Sequence, residues 1–301
     1  MNDLYRPPFH ADPCRLNVDL HCHSRASDGT LTPTEVVRRA HANGVQALAL
    51  TDHDETGGLG EAAAEAKRVG LVFIPGVEVS VTWAGETIHV VGLRVDPDDR
   101  CLREGLADIR SGREARACRI SDSLAAAGIK NAREGAMRYV GNPDLISRSH
   151  FARYIVEAGF CTEVREVFSR YLTPGKPGYV EHNWATLSRA VDLIRGAGGT
   201  AVLAHPARYR LGETARWALI EAFRDAGGGA IEVFTGSHSR VDFERYAAVS
   251  KKFSMPASRG SDFHDPLESH YDIGGLPPMS DDLMPVWWDW PELCHLQPAF
   301  V

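Results

Sequence analysis

The sequence predicts an α/β chain whose strand–helix units repeat and close into a barrel, interrupted once by a helical insertion. Three observations carry this reading. Short apolar runs alternate with helical segments from residue 18 to 95, and again from 186 to 264. Nearly every run ends in a cluster of His, Asp or Glu. Between residues 96 and 179 the alternation stops and the chain turns into Arg- and Ala-rich helix. Repeated βα units over one domain suggest a parallel barrel, and in such barrels chemistry sits at the carboxyl ends of the strands.

The elements follow in order. Val18 to Ser24 reads as a strand whose alternate side chains put His21 and His23 on one face, with Cys22 on the other as core filler. Asp28 follows within a tight turn. Thr32-Pro33-Thr34-Glu35 is a helix start, with Thr32 as N-cap and Glu35 closing a capping box. The helix runs to Asn43, where Gly44 stops it. Val45–Leu50 is a buried strand ending in Thr51-Asp52-His53-Asp54. Gly58 to Arg68 is an Ala-rich helix stopped by Gly70. Leu71–Pro75 is a strand leading into Gly76–Val81, where alternation sets Glu78, Ser80 and Thr82 on one face. After a turn at Ala84–Glu86, Thr87–Val95 returns as a strand carrying His89. The second half repeats the scheme. A helix over 186–197 leads to a strand ending in His205-Pro206, and a helix over 214–226 leads to the strand Ala230–Phe234. A helix to Lys252 then leads into Gly260-Ser261-Asp262-Phe263-His264. The tail, with Trp287, Trp288 and Trp290, is expected to pack across the outside of the barrel.

Bulk properties narrow the classes. A chain of 301 residues with 44% hydrophobic residues can bury a full core as one large domain or two modest ones. No apolar run approaches about 18 residues, so no membrane span is expected. Met1–Pro13 shows no signal-peptide pattern, which predicts a cytoplasmic protein. The cysteines Cys14, Cys22, Cys101, Cys118, Cys161 and Cys294 contain no CxxC pair and read as reduced thiols. The net charge of −7 argues against a protein that coats long nucleic acid. Yet residues 99–179 hold 14 Lys and Arg against 10 Asp and Glu, a basic insert that suits small anionic ligands.

His21, His23, Asp28, His53, Glu78, His89, His205, Asp262 and His264 therefore fall at predicted strand ends. Nine N/O ligands are too many for one ion and suit three, with Glu78 bridging two. His10, His41, His182, His270 and His295 read as ordinary surface or core histidines.

These motifs, Asp19-Leu20-His21-Cys22-His23-Ser24, Leu50-Thr51-Asp52-His53-Asp54, Gly76-Val77-Glu78-Val79-Ser80, Ala204-His205-Pro206 and Gly260–His264, resemble those of the PHP (polymerase and histidinol phosphatase) superfamily. The resemblance implies a distorted (β/α)7 TIM-like barrel with a trinuclear metal centre. One ion would take His21, His23, Glu78 and Asp262, a second Glu78, His89 and His205, and a third Asp28, His53 and His264. Three divalent ions are expected, Mn²⁺ first, with Zn²⁺ and Fe²⁺ also suited to the ligands. The expected division is residues 1–95 and 180–301 for the barrel and 96–179 for the insertion, a substrate-binding cap.

Within the insertion, Arg148–Arg153 and Tyr171–Pro177 resemble 3′,5′-nucleotide bisphosphate phosphatases and RNase AM-like 5′–3′ exoribonucleases. In that group the first segment often reads Arg-Pro-His; here Ser149 replaces the proline. Arg148, His150, Lys176 and His238 are the candidate phosphate contacts, Arg148 by a bidentate fork. Metal coordination lowers the pKa of bound water toward ~7, so no separate catalytic base is expected. The implied reaction is hydrolysis of the 3′-phosphoester of nucleoside 3′,5′-bisphosphates, and of short 5′-phosphorylated RNA from its 5′ end. No membrane, long duplex or obligate protein partner is expected. The alternatives are another small-molecule phosphatase, such as a histidinol-phosphate phosphatase, and a non-catalytic polymerase-associated PHP module.

Overall fold

The computed structural model describes residues 12–299. The expectations resting on the N-terminal stretch, that for His10 among them, lie outside the described residues.

The capping and stop signals work as the sequence implies. In α1 (Pro33–Ala42) the Thr32 hydroxyl accepts from Glu35 N–H at 3.2 Å, and the Glu35 carboxylate accepts from Thr32 N–H at 2.8 Å. α2 (Leu59–Val69) ends on Gly70 at φ 77°. The elements are β1 (Val18–Asp19), α1, β2 (Ala47–Leu50), α2, β3 (Val72–Trp83), β4 (Glu86–Leu93), α3 (Arg100–Arg110), α4 (Arg113–Ala126), α5 (Ala132–Met137), α6 (Arg148–Glu157), α7 (Val164–Val167), α8 (Leu187–Gly196), β5 (Thr200–Leu203), α9 (Glu213–Asp225), β6 (Ala230–Thr235), α10 (Arg240–Phe253) and β7 (Ala257–Gly260).

The strands lie in chain order from β1 to β7. β7 meets β1 through Leu20 N–H to Arg259 O at 2.9 Å and Asp262 N–H to His21 O at 2.8 Å, which brings the sheet round into a barrel. The two strand pieces expected over 71–81 are one strand, β3. β4 is antiparallel to both β3 and β5, while the remaining pairs are parallel. This is the form that the barrel's distortion takes. Ala84 and Gly85, both at positive φ, make the two-residue turn whose twist suits a tight hairpin. The consequence is functional. β4 starts where β3 ends, so His89, near its beginning, arrives at the carboxyl ends of the parallel strands.

The core is split. The large cluster runs through the barrel and under α8, α9 and α10. A second lies between α1, α2 and the β2 side, and holds Cys22, whose thiol points to Ala49 O. A third belongs to α4–α7, with Leu124, Phe151, Ile155 and Leu172. Within the segment 96–179, α3 sends Leu102 and Leu106 into the barrel core instead. The tail differs from expectation. Trp287 is fully buried, its indole N–H donates to Pro13 O at 3.0 Å, and Val286 N–H reaches Ala257 O at 2.8 Å. It therefore plugs the amino-terminal end of the barrel rather than covering its outer wall.

Arg259, fully buried on β7, donates to the carbonyls of Val18, Gly274, Leu276 and Pro277 and ties the loop after β7 to β1. Next to it, Gly260 has no room for a side chain: a Cβ there would sit 2.3 Å from His21 Cβ and 2.6 Å from His21 N. Gly260→Ala is expected to push β1 from β7 and cost about 1–3 kcal/mol, the usual range for overpacking, in urea unfolding monitored by circular dichroism.

Candidate metal centre

Every ligand candidate singled out from the sequence converges on the carboxyl ends of the strands. His21 and His23 leave β1 on its inner face, both fully buried. Glu78 lies on β3, His89 on β4, and His205 directly after β5. His53 follows β2, pairing as a bridge with Glu78. Asp262 and His264 follow β7. Three non-glycine residues at these strand ends hold positive φ, Asp54 at 50°, His205 at 27° and Asp262 at 55°. Such conformations cost energy and persist where the surroundings impose them.

Glu78, wholly buried, is the hub. Its Oε1 lies 2.9 Å from His89 Nδ1, 3.0 Å from His205 Nε2 and 3.3 Å from His21 Nε2. Its Oε2 lies 3.0 Å from His53 Nδ1 and 3.3 Å from His23 Nε2. Asp262 Oδ1 is 3.5 Å from His21 Nε2 and 3.3 Å from His23 Nε2. Asp28 Oδ1 is 3.4 Å from His264 Nε2 and 3.8 Å from His53 Nε2.

Three donor sets are compact enough to hold an ion: His21, His23, Glu78 and Asp262; His53, Glu78 and His89; and His23, Asp28, His53 and His264. The first set is the one the resemblance implies. In the second, His53 joins Glu78 and His89, while His205 stands 3.4 Å from His89 Nδ1. In the third, His23 joins the implied trio.

The donor chemistry fits cations. His264 Nδ1 faces the Asp262 carbonyl at 2.9 Å, so it carries the proton and leaves Nε2 for Asp28. Asp28 Oδ1 and Glu78 Oε2 are buried, have imidazoles around them, and receive no well-directed hydrogen bond. Burial pushes the Glu78 carboxyl up, but His89, His53 and His21 outweigh it and hold it well below the usual range. Asp28 and Asp262 behave alike, the first through His53 and His264, the second through His21 and His23. The imidazoles divide: Glu78 and Asp28 overcome burial and lift His53 to about 9, whereas burial prevails at His23 and His205 and brings each down to about 3. The carboxylates thus demand positive charge at this point of the barrel.

Glu232 is a residue that the sequence did not single out. From β6 its Oε1 meets His21 Nδ1 at 2.7 Å, and its Oε2 accepts from His205 N–H at 2.6 Å. It turns His21 so that Nε2 faces the cluster, the arrangement by which a carboxylate orients a metal-binding imidazole. Asp52 and Asp54 act around the rim: Asp52 accepts from Ser24 and Ser27, Asp54 from Ser80 N–H at 2.7 Å and from Arg113.

The phosphate candidates scatter. Arg148 is half-buried, with Nη1 donating to Leu172 O at 3.2 Å. Lys176 is exposed on the turn after Leu172. His150 is fully buried, and its Nδ1 accepts from Ser147 N–H at 3.0 Å as part of the α6 cap. His238 has both nitrogens on the backbone, Nδ1 toward Val233 O at 3.0 Å and Nε2 accepting from Ala207 N–H at 3.2 Å. It has no nitrogen left for a phosphate and instead supports the loop that carries His205.

The insertion grips the cluster directly. Ser147 Oγ donates to Asp28 Oδ2 at 3.2 Å, Arg153 Nη1 to Asp28 O at 2.7 Å, and Arg153 forks onto Glu268 at 2.9 Å. Behind α6 lie more arginines. Arg113 and Arg116 are buried and stack on Trp184 at 4.6 and 5.3 Å. Burial first, then Arg148 and Arg113, bring Arg116 down to about 9, while burial and Arg208 bring Arg148 to about 10. Arg116 and Arg148 lean on carbonyls, those of Val180 and Leu172. Arg208 stands between the two groups, with Nη1 3.2 Å from Asp262 Oδ2.

Relatives carry the same organisation. The PHP domain profile matches residues 19–100. A 3′,5′-nucleoside bisphosphate phosphatase of Chromobacterium violaceum is 53% identical over 271 residues, which cover 90% of this chain and 95% of that one. The chain belongs to the PHP family. A second PHP relative, a 5′-3′ exoribonuclease of Haemophilus influenzae, is 41% identical over 271 residues, covering 89% and 97%. Among solved structures, one described as an amidohydrolase from Chromobacterium violaceum with bound sulfate and no metal superposes with a TM-score of 0.88, at 53% identity, over 90% of this chain and 94% of that one. Among the described residues, no helix is long and apolar enough to cross a membrane.

If Glu232 sets the orientation of His21, Glu232→Gln should keep the fold and lower metal affinity about 10- to 100-fold. Competition with a chelator, read by elemental analysis, measures this.

Proposed function

We propose that this PHP protein is a metal-dependent phosphoesterase that hydrolyses the 3′-phosphoester of nucleoside 3′,5′-bisphosphates, giving a 5′-mononucleotide and phosphate. Short 5′-phosphorylated RNA, shortened from its 5′ end, is the second substrate class. The observation that carries this reading is the pairing of two fields: a cluster of imidazoles and carboxylates built for cations, and an arginine group with few carboxylates, joined through Ser147 and Asp28.

The proposed ligands are His21, His23, Asp28, His53, Glu78, His89, His205, Asp262 and His264, holding three divalent ions with Mn²⁺ the first choice. Ions held there supply Lewis acidity toward a phosphoryl oxygen and a nucleophile at neutral pH. The remaining work falls to the chain. Glu232 fixes His21 and the His205 backbone. Arg148 and Arg116, joined by Lys176 from its exposed turn, take the 5′-phosphate. Arginine suits that task because its fork matches phosphate oxygens. His150 and His238 shape the walls instead of touching phosphate. A phosphate anchored in the insertion places the 3′-phosphoester toward Asp262 and Arg208, so remote binding is used for positioning.

One geometry then explains both substrate classes. On a bisphosphate the leaving fragment is phosphate's alcohol partner, the 5′-mononucleotide; on RNA the same ester is the first internucleotide linkage. The names of the two relatives above match these two activities. A histidinol-phosphate phosphatase has no second phosphate for the arginines to hold, which places it second.

Three expectations test this reading. Adenosine 3′,5′-bisphosphate should be hydrolysed with a higher kcat/KM than adenosine 3′-monophosphate, by phosphate release; equal values would remove the anchor, and histidinol phosphate as the better substrate would favour the second reading. Arg148→Ala should raise KM about 10- to 150-fold, the loss of one charged hydrogen bond, with bound metal unchanged. Glu78→Gln should instead lose both metal and turnover; full metal content with normal activity would refute the bridging role.

A further inference from the structure

A groove of about 370 Å³ lies between α9 and α10 on the outer wall of the barrel, away from the metal centre. Its size falls within the range of small-ligand pockets, about 300–1,000 Å³. Ile220, Tyr246 and Val249 are buried beneath it, and Trp217 is half-buried at its side. Arg216, Arg245 and Lys252 surround it, against one carboxylate, Glu213. Arg245 also lies 3.7 Å from Asp242 Oδ1, so the cations of the lining outnumber the acids around it by one.

Two of its polar atoms are buried and unpartnered among the described residues, Arg216 Nε and the hydroxyl of Tyr246. Arg216 is not loose. Its Nη2 donates to Leu211 O at 3.0 Å, which fixes the guanidinium while Nε stays unused. Tyr246 is fully buried, and its ring stacks on His238 with centroids 5.0 Å apart. Lys252 Nζ sits over the Trp217 ring, 4.2 Å from its centre, so a cation and an aromatic ring meet at the same space. A buried donor without a partner is uncommon unless something else satisfies it.

We propose that this groove is a second binding site, for a mononucleotide, with its phosphate toward Arg216, Arg245 and Lys252 and its base against Trp217. The phosphate monoester of a nucleotide carries a charge near −2 at neutral pH, which suits a lining where cations outnumber acids. The flat ring matches the apolar floor. The site reaches the reaction centre through one short chain of contacts: Tyr246 stacks on His238, and His238 accepts from Ala207 N–H, two residues after His205.

Equilibrium dialysis of the intact protein with labelled AMP tests it. Wild type is expected to bind one AMP more than Arg216→Gln does. Lys252→Gln, at an exposed position, is expected to weaken that equivalent about tenfold, the worth of one charged contact. Adenosine and inorganic phosphate alone should each bind this site less tightly than AMP. In both variants kcat/KM on adenosine 3′,5′-bisphosphate without added AMP should match wild type. AMP stoichiometry and affinity unchanged in both variants, or no AMP bound by wild type, would overturn the proposal. Failure of wild type to turn over the bisphosphate is read in a separate assay and bears on the reaction, not on this groove.

Discussion

One buried carboxylate sets the terms for the rest of the molecule. Five imidazole nitrogens lie within 3.3 Å of Glu78, two to three at each oxygen. A carboxylate taken fully out of water is stable only when positive charge offsets the lost solvation. The barrel surrounds it with groups that bind cations. The inner faces of β1, β3 and β4 and the ends of β2, β5 and β7 each deliver a histidine or a carboxylate to the same small volume. That need also explains the reversed strand. In the antiparallel pair His89 lies opposite Ser80, two residues from Glu78, and its Nδ1 comes to 2.9 Å from Glu78 Oε1.

Around this centre the structure uses pairs of groups with opposite demands. Glu232 is pushed upward by burial and drawn back by His21, and the two lock one another in place. Asp54 answers Arg113 and holds Ser80, so the rim of β3 is tied to the first turn of α4. Asp28 links the cluster to α6 through Ser147 and Arg153. The insertion is therefore more than a lid resting on the barrel, since Asp28, a member of the His and carboxylate cluster, also anchors the helix that begins with Arg148. Movement of α6 and the position of Asp28 are coupled by construction.

The arginines complete the electrostatic picture. Burial first, and then neighbouring guanidinium groups, disfavour the charged forms of Arg116 and Arg148, while Arg113 and Arg208 are paired with Asp54 and Asp262. The strand-end cluster offers donors for cations, and beside it Arg116 and Arg148 rest on carbonyls rather than on carboxylates. Phosphate oxygens match the guanidinium fork, so an anionic substrate answers the arginine side, while only cations answer the carboxylates.

Much of this was legible in the sequence because ligands at strand ends follow local rules. His21 and His23 stand two apart on one strand, and His53, Glu78, His89, His205, Asp262 and His264 each close or line an apolar run. Capping residues such as Thr32 and Glu35, and stops such as Gly70, are likewise decided within a few residues. What the sequence could not decide depends on contacts between distant segments. Glu232 looked like an ordinary polar residue in a strand, since only closure of the barrel puts its side chain beside His21, 211 residues away. Arg113 and Arg116 looked like a solvated helix face until α4 packed against Trp184. His238 had the right chemistry for phosphate but is buried with both nitrogens on the backbone, and His150 is buried with Nδ1 taken by Ser147 N–H. Pattern and spacing determine which groups a strand end offers; burial and closure, which sum over the whole chain, decide where each of those groups is free to act.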